Sequence, residues 1–122
     1  MNAFNSNGIK FGLDTFGDMT HDDNGKPETA GQVIRNIIDQ GKLADEVGLY
    51  GFNIGEHHRD DYAVSAPTTV LAGLATVTKN IILGSGVVVL SSEDPIRVYQ
   101  QFATIDALSN GRALKVSKVG QL

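Results

Sequence analysis

The chain has 122 residues, 41% of them hydrophobic and 20% charged, which suits one domain with a true core and argues against disorder. Its formal charge of −4 makes nucleic acid or an anionic membrane a poor main partner, and the absence of cysteine removes any disulfide framework or thiolate metal site. No apolar run approaches the roughly 20 residues of a membrane span, and residues 1–7 lack the basic and apolar parts of a signal peptide, so a cytoplasmic protein is expected.

In chain order, residues 9–16 read as a first strand that runs into a turn-rich polar loop, residues 17–27. A connection of that length is either a binding loop or a solvated excursion. Residues 30–47 read as a helix. Thr29 and Gln32 have capping-box spacing, and Val33, Ile34, Ile37, Ile38, Gly41, Ala44 and Val47 share one face. Arg35 with Asp39 and Lys42 with Glu46 are i,i+4 pairs on the opposite face. A second strand, residues 50–55, leads to a helix over 67–78, with Pro67 in its first turn and Lys79-Asn80 closing it, since Asn tolerates the left-handed conformation.

The third predicted strand, residues 81–90, is apolar on both faces, as buried parallel strands are. Asp94 and Pro95 start a third helix with a stripe of Val98, Tyr99, Phe102, Ile105 and Leu108, and Ser109-Asn110-Gly111 stops it. A fourth strand is possible within residues 114–119. Strands alternating with helices predict a parallel sheet in sequential order, helices on one side, and no internal domain boundary.

Chemistry concentrates at one strand end, in Glu56-His57-His58. Neighbouring strand residues face opposite ways, so the two histidines cannot grip one ion, and no metal site is expected. Acid/base work or hydrogen bonding to a bound heterocycle suits a histidine there; so does a plain solvated loop. Gly84-Ser85-Gly86 interrupts a buried strand, which marks either tight packing against the first helix or room for a flat ring. Ser91-Ser92-Glu93-Asp94 is another polar loop between strand and helix, and helix capping suffices for Asp94.

Taken together, Gly55-Glu56-His57-His58-Arg59, Ser65-Ala66-Pro67, residues 84–90, Asp94-Pro95-Ile96-Arg97 and residues 106–112 resemble the N-terminal part of the luciferase-like flavin-dependent monooxygenases. The resemblance spans residues 9–113. It implies an α/β fold of the (β/α)₈ TIM-barrel type, holding reduced FMN, or in some branches a deazaflavin, at the C-terminal strand ends; the Glu-His-His arrangement is the pattern of the flavin-using branch. By matching position it makes His57 the catalytic histidine and Glu56, its polar neighbour, a cofactor-binding residue. It also puts Gly86 and Val87 at a non-prolyl cis peptide bond under the flavin ring.

Two departures accompany it. A complete barrel needs roughly 250 residues, so a single incomplete barrel is expected here, made of three βα units and a possible fourth strand. Residues 114–122 also alternate apolar and polar, with lysines where a barrel strand should be buried, and read as foreign to the family. The expected function is therefore that of the N-terminal part of a flavin-dependent monooxygenase acting on an organic substrate, inactive and weak in FMN binding by itself. The alternative is a non-catalytic remnant that persists by forming a homo-oligomer; a hydrolase using Glu56 and His57 lacks a serine on a nucleophile elbow. An open inner face is expected along the third strand, at Ile82, Leu83, Val87, Val88 and Val89.

Overall fold

The hydrophobic periods translate into alternating strands and helices. The computed structural model describes residues 8–114 and 117–118. The elements are β1 (Gly12–Thr15), α1 (Ala30–Glu46), β2 (Gly51–Ile54), α2 (Pro67–Val77), β3 (Ile82–Ser85), β4 (Val88–Val89), α3 (Pro95–Leu108), β5 (Ala113–Leu114) and β6 (Ser117–Lys118). Strands β1, β2, β3 and β5 form one sheet in that order, every pair parallel. This is the opening of a (β/α)₈ barrel: three βα units and the fourth strand.

Register decides what each face carries. Leu13, Phe52, Leu83 and Ala113 share one row, and Thr15, Ile54 and Ser85 another. Phe52, Ile54, Leu83 and Ser85 are buried, as are Val33, Ile37 and Ala44 of α1, Leu71 and Leu74 of α2, and Val98, Phe102 and Ile105 of α3. The alternate rows, Gly12–Gly51–Ile82 and Asp14–Asn53–Gly84–Leu114, therefore line the inner face, away from the helices. No helix among the described residues is long and apolar enough to cross a membrane.

Local signals hold where local geometry governs. The Thr29 hydroxyl accepts from the Gln32 N–H at 3.2 Å, and the Asp94 carboxylate accepts from the N–H groups of Ile96 and Arg97 at 2.8 and 3.0 Å. Asn110 and Gly111 adopt left-handed φ values of 56° and 84° and end α3.

Several expectations need correction. The third strand is not continuous over 81–90: it breaks at Gly86–Val87, and its second piece, β4, pairs with β6 instead of extending the main sheet. The fourth strand begins at Ala113, and residues 115–116 and 119–122 of the tail lie outside the described residues. Arg35 donates to Gln32 Oε1 at 2.9 Å, and among the described residues neither Arg35–Asp39 nor Lys42–Glu46 forms an ion pair. Such exposed pairs gain too little to hold two long side chains in one geometry. The α3 stripe is narrower than predicted, because Tyr99 and Leu108 are exposed.

Asn80 does not close α2 in a left-handed conformation. Instead the Asp45 carboxylate, at the end of α1, accepts from the N–H groups of Lys79, Asn80 and Ile81 at 2.8–2.9 Å. Buried Arg112 completes this end of the sheet, donating to the carbonyls of Ile81, Thr78, Ala75 and Ser109 and to the Thr78 hydroxyl.

The third strand is wetted only in part: Ile82, on the inner face, and Val87 and Val89 are half-buried, whereas Leu83, in the row that faces the helices, and Val88 are buried. Exposure falls on β1, the sheet edge, and the residues leading into and out of it: Ile9, Phe11, Leu13 and Phe16 are 41–57% exposed.

Candidate active site

Three strands deliver their C-terminal ends to one place. The Gly55 N–H donates to Thr15 O at 2.9 Å, the Gly86 N–H to Ile54 O at 2.9 Å, and the Glu56 N–H to Val87 O at 3.1 Å. The loops beyond β1 and β2 then zip together. The Ala63 N–H donates to Gly17 O at 2.7 Å, the Met19 N–H to Asp61 O at 3.0 Å, and Asp18 and Tyr62 form an antiparallel bridge. The long first loop is thus docked on the second.

This zipper seats His57. Its N–H donates to Val64 O at 3.0 Å, and its ring lies between Phe16, with centroids 4.8 Å apart, and Tyr62, 4.2 Å apart. The residue is half-buried, and Nδ1 is fully buried without a hydrogen-bond partner. An unmet buried nitrogen costs about 1–3 kcal/mol and, in a strand-end cleft, points to a use.

Glu56 turns the other way and does not meet the His57 ring. Oε1 accepts from His58 Nε2 and from the Ser92 hydroxyl, each at 2.6 Å, and Oε2 accepts from the Val89 N–H at 2.8 Å. The Glu56 side chain is 2% exposed and that of His58 43%. Burial alone would push this carboxyl up. The Ser92 hydroxyl, the Val89 N–H and His58 outweigh that and hold it below the ordinary carboxylate range. An ionised Glu56 has no proton to give, so His58 carries its proton on Nε2. The Ser92 contact was beyond sequence reasoning, since the partners lie 36 positions apart.

The inner face between these strand ends is poor in side chains. Ser85 points into the core, so Gly84 and Gly86 face away from the helices, which sets aside packing against the first helix as the reason for them. A β-carbon on Gly84 would collide with the Asn53 side chain, while one on Gly86 would stand 3.5 Å from Asn53 Cβ and 3.7 Å from Asp14 Oδ1. Asn53 Nδ2 donates to Asp14 Oδ1 at 2.6 Å, and Phe16 packs across Gly55. The Gly86–Val87 peptide bond is cis. The result is a surface at Gly86 that is poor in side chains, with the Phe16 ring lying over neighbouring Gly55, His57 beside Phe16, and the Asp14–Asn53 pair toward the strand starts. A cleft of about 440 Å³ lies at the opposite end, lined by Asp45, Glu46, Gly48, Tyr50 and Ile82 among others. Of its two acids, Asp45 is already committed to three backbone N–H groups, and among the described residues neither a histidine nor an unmet buried polar atom accompanies Glu46, so the strand ends remain the better candidate.

Residues 15–115 match the luciferase-like monooxygenase family. The chain is similar to the N-acetyl-S-alkylcysteine monooxygenase of Bacillus subtilis (strain 168), with 37% identity over 89 residues that cover 72% of this chain and 27% of that protein. It is also similar to the oxygenase component of the flavin-dependent trigonelline monooxygenase of Acinetobacter baylyi, with 34% identity over 86 residues covering 70% and 24%. Among solved structures, apo-MsnO8 superposes with a TM-score of 0.80 at 29% identity, over 89% of this chain and 32% of that one. The chain spans about a quarter of the length of the curated relatives it matches. Sequence, strand order and superposition agree, and the chain belongs to the luciferase-like monooxygenase family.

Proposed function

We propose that this chain forms one wall of a site for reduced FMN in a monooxygenase acting on a small organic substrate. The observation that carries the reading is the unpartnered Nδ1 of half-buried His57 together with the side-chain-poor strand end at Gly86, bordered by the Phe16 ring over Gly55. A planar heteroaromatic ring fits such a surface, and a relative is flavin-dependent by name. Reduced flavin supplies the electrons that activate O₂ for insertion into the substrate. His57 then hydrogen-bonds or moves a proton at the ring edge, with Phe16 and Tyr62 shielding it from water. Gly86 and Val87 form the surface beneath the ring, and Asp14 with Asn53 offers polar groups at its margin.

Four strands make one wall and not a closed pocket, and phosphate sites in such barrels commonly use loops after later strands. The chain alone is therefore proposed to bind FMN weakly, to lack turnover, and to self-associate through its exposed apolar edge. Quenching of flavin fluorescence, paired with sedimentation, tests this. Weak quenching that disappears in His57→Ala supports the reading. Quenching unaffected by His57→Ala removes His57 from the site, and micromolar binding by a monomer refutes the argument from barrel closure.

A further inference from the structure

Glu56 makes more connections than a cofactor contact needs, and all of them lead into protein. Its N–H donates to Val87 O, its Oε2 accepts from the Val89 N–H, and its Oε1 accepts from the Ser92 hydroxyl and His58 Nε2. The Ser92 N–H donates in turn to Val89 O at 3.1 Å, so segment 87–92 is folded around this one carboxylate. The side chain is almost fully buried, and three donors occupy an anion with about four acceptor sites. Little of it remains to meet a ligand. Its backbone neighbours, however, are the parts that would: Gly55 before it, His57 after it, and Gly86–Val87 across from it.

We propose that Glu56 is a positioning residue and not a flavin contact: through Val89 and Ser92 it clamps segment 87–92 to the end of β2, fixing the Gly86–Val87 surface relative to His57. His58 is the clamp's outer member. It braces the carboxylate from the solvent side, which gives the second histidine a role distinct from that of His57. The inference rests on the reading of the site as a flavin wall, but the clamp itself is a property of the chain without ligand.

The test uses the 122-residue chain in three forms: unaltered, Glu56→Gln and Ser92→Ala. Amide hydrogen exchange without flavin is read residue by residue, together with the ring ¹⁵N signals of His57. Glu56→Gln should speed exchange at Val89 by about tenfold or more, because a charge-assisted bond is lost, while Ile37 and Leu74 stay within about twofold. The His57 ring signals should move although its own side-chain contacts are untouched. Ser92→Ala should shift the same sites by less, and it carries the test if Glu56→Gln does not fold. An unchanged Val89 amide in both variants overturns the proposal, and so does uniform acceleration across the core, which marks a merely structural role. In a parallel FMN titration the affinity of Glu56→Gln should fall; equal affinity overturns the proposal. If the unaltered chain does not quench FMN at all, the flavin reading fails while the exchange arm still decides the clamp.

Discussion

His57 sits between Phe16 and Tyr62 as an aromatic side chain would, yet it buries a nitrogen that nothing meets. For stability alone a phenyl ring would serve better, since an unmet buried polar atom costs about 1–3 kcal/mol. His57→Phe should therefore leave the denaturant midpoint unchanged or raise it, while removing the flavin response. A clear fall in the midpoint would mean that Nδ1 has a partner. Glu56 shows the opposite balance, a buried charge fully met. Its folded pKa lies below the ordinary value of 4.5, so it contributes stability fully above that value and loses the contribution as pH falls through the folded pKa. Stability measured from about pH 2 to 6 should drop more steeply for the unaltered chain than for Glu56→Gln. Parallel curves would contradict the assignment of an ionised, donor-saturated carboxylate.

Among the elements, β3 shows how a strand interior is shaped for something other than its own packing. Gly84 leaves the space that the Asn53 side chain occupies on its way to Asp14. Gly84→Ala would force Asn53 aside and bring the new methyl to 3.1 Å from the Leu114 carbonyl. Overpacking of this kind costs about 1–3 kcal/mol. Asn53→Ala in the same chain should recover most of that loss, because the first collision is with a side chain. Thermal unfolding of the two single variants and the double variant measures the coupling. Additive losses would place the strain in the backbone contact with Leu114 instead.

For the molecule as a whole, the inner face of an open barrel is only partly wetted, with Ile82 half-buried, and the greater exposure in the sheet lies along β1 and its flanks, at Ile9, Phe11, Leu13 and Phe16. An edge that is both unpaired and apolar is a template for association. The sedimentation coefficient should therefore rise with concentration, and Phe11→Lys with Leu13→Lys should suppress the rise with little change in stability. Association that persists in this variant would locate the contact elsewhere, for example at Ile96 and Tyr99 on α3, which are each 68% exposed.

What the sequence by itself determined was most of what depends on neighbours a few positions apart, though not the surface pairs Arg35–Asp39 and Lys42–Glu46. The helices from their apolar spacing, the caps at Thr29 and Asp94, the stop at Asn110-Gly111, and the parallel order of alternating strands all follow from 3.6- and 2-residue periods and from capping chemistry. The family, too, was legible in short motifs. Only the tertiary structure decided which distant groups meet. Glu56 finds Ser92, Asp45 finds the Ile81 N–H, and Asn53 finds Asp14, across separations of 36 to 39 residues. It also decided that the third strand breaks at Gly86–Val87 and that β1 bears the exposed edge. The physical reason is that such pairings depend on strand register and on which strand lies beside which. A shift of one residue in a strand would turn its side chains, Asn53 and Asp14 among them, to the other face, and no local pattern records it.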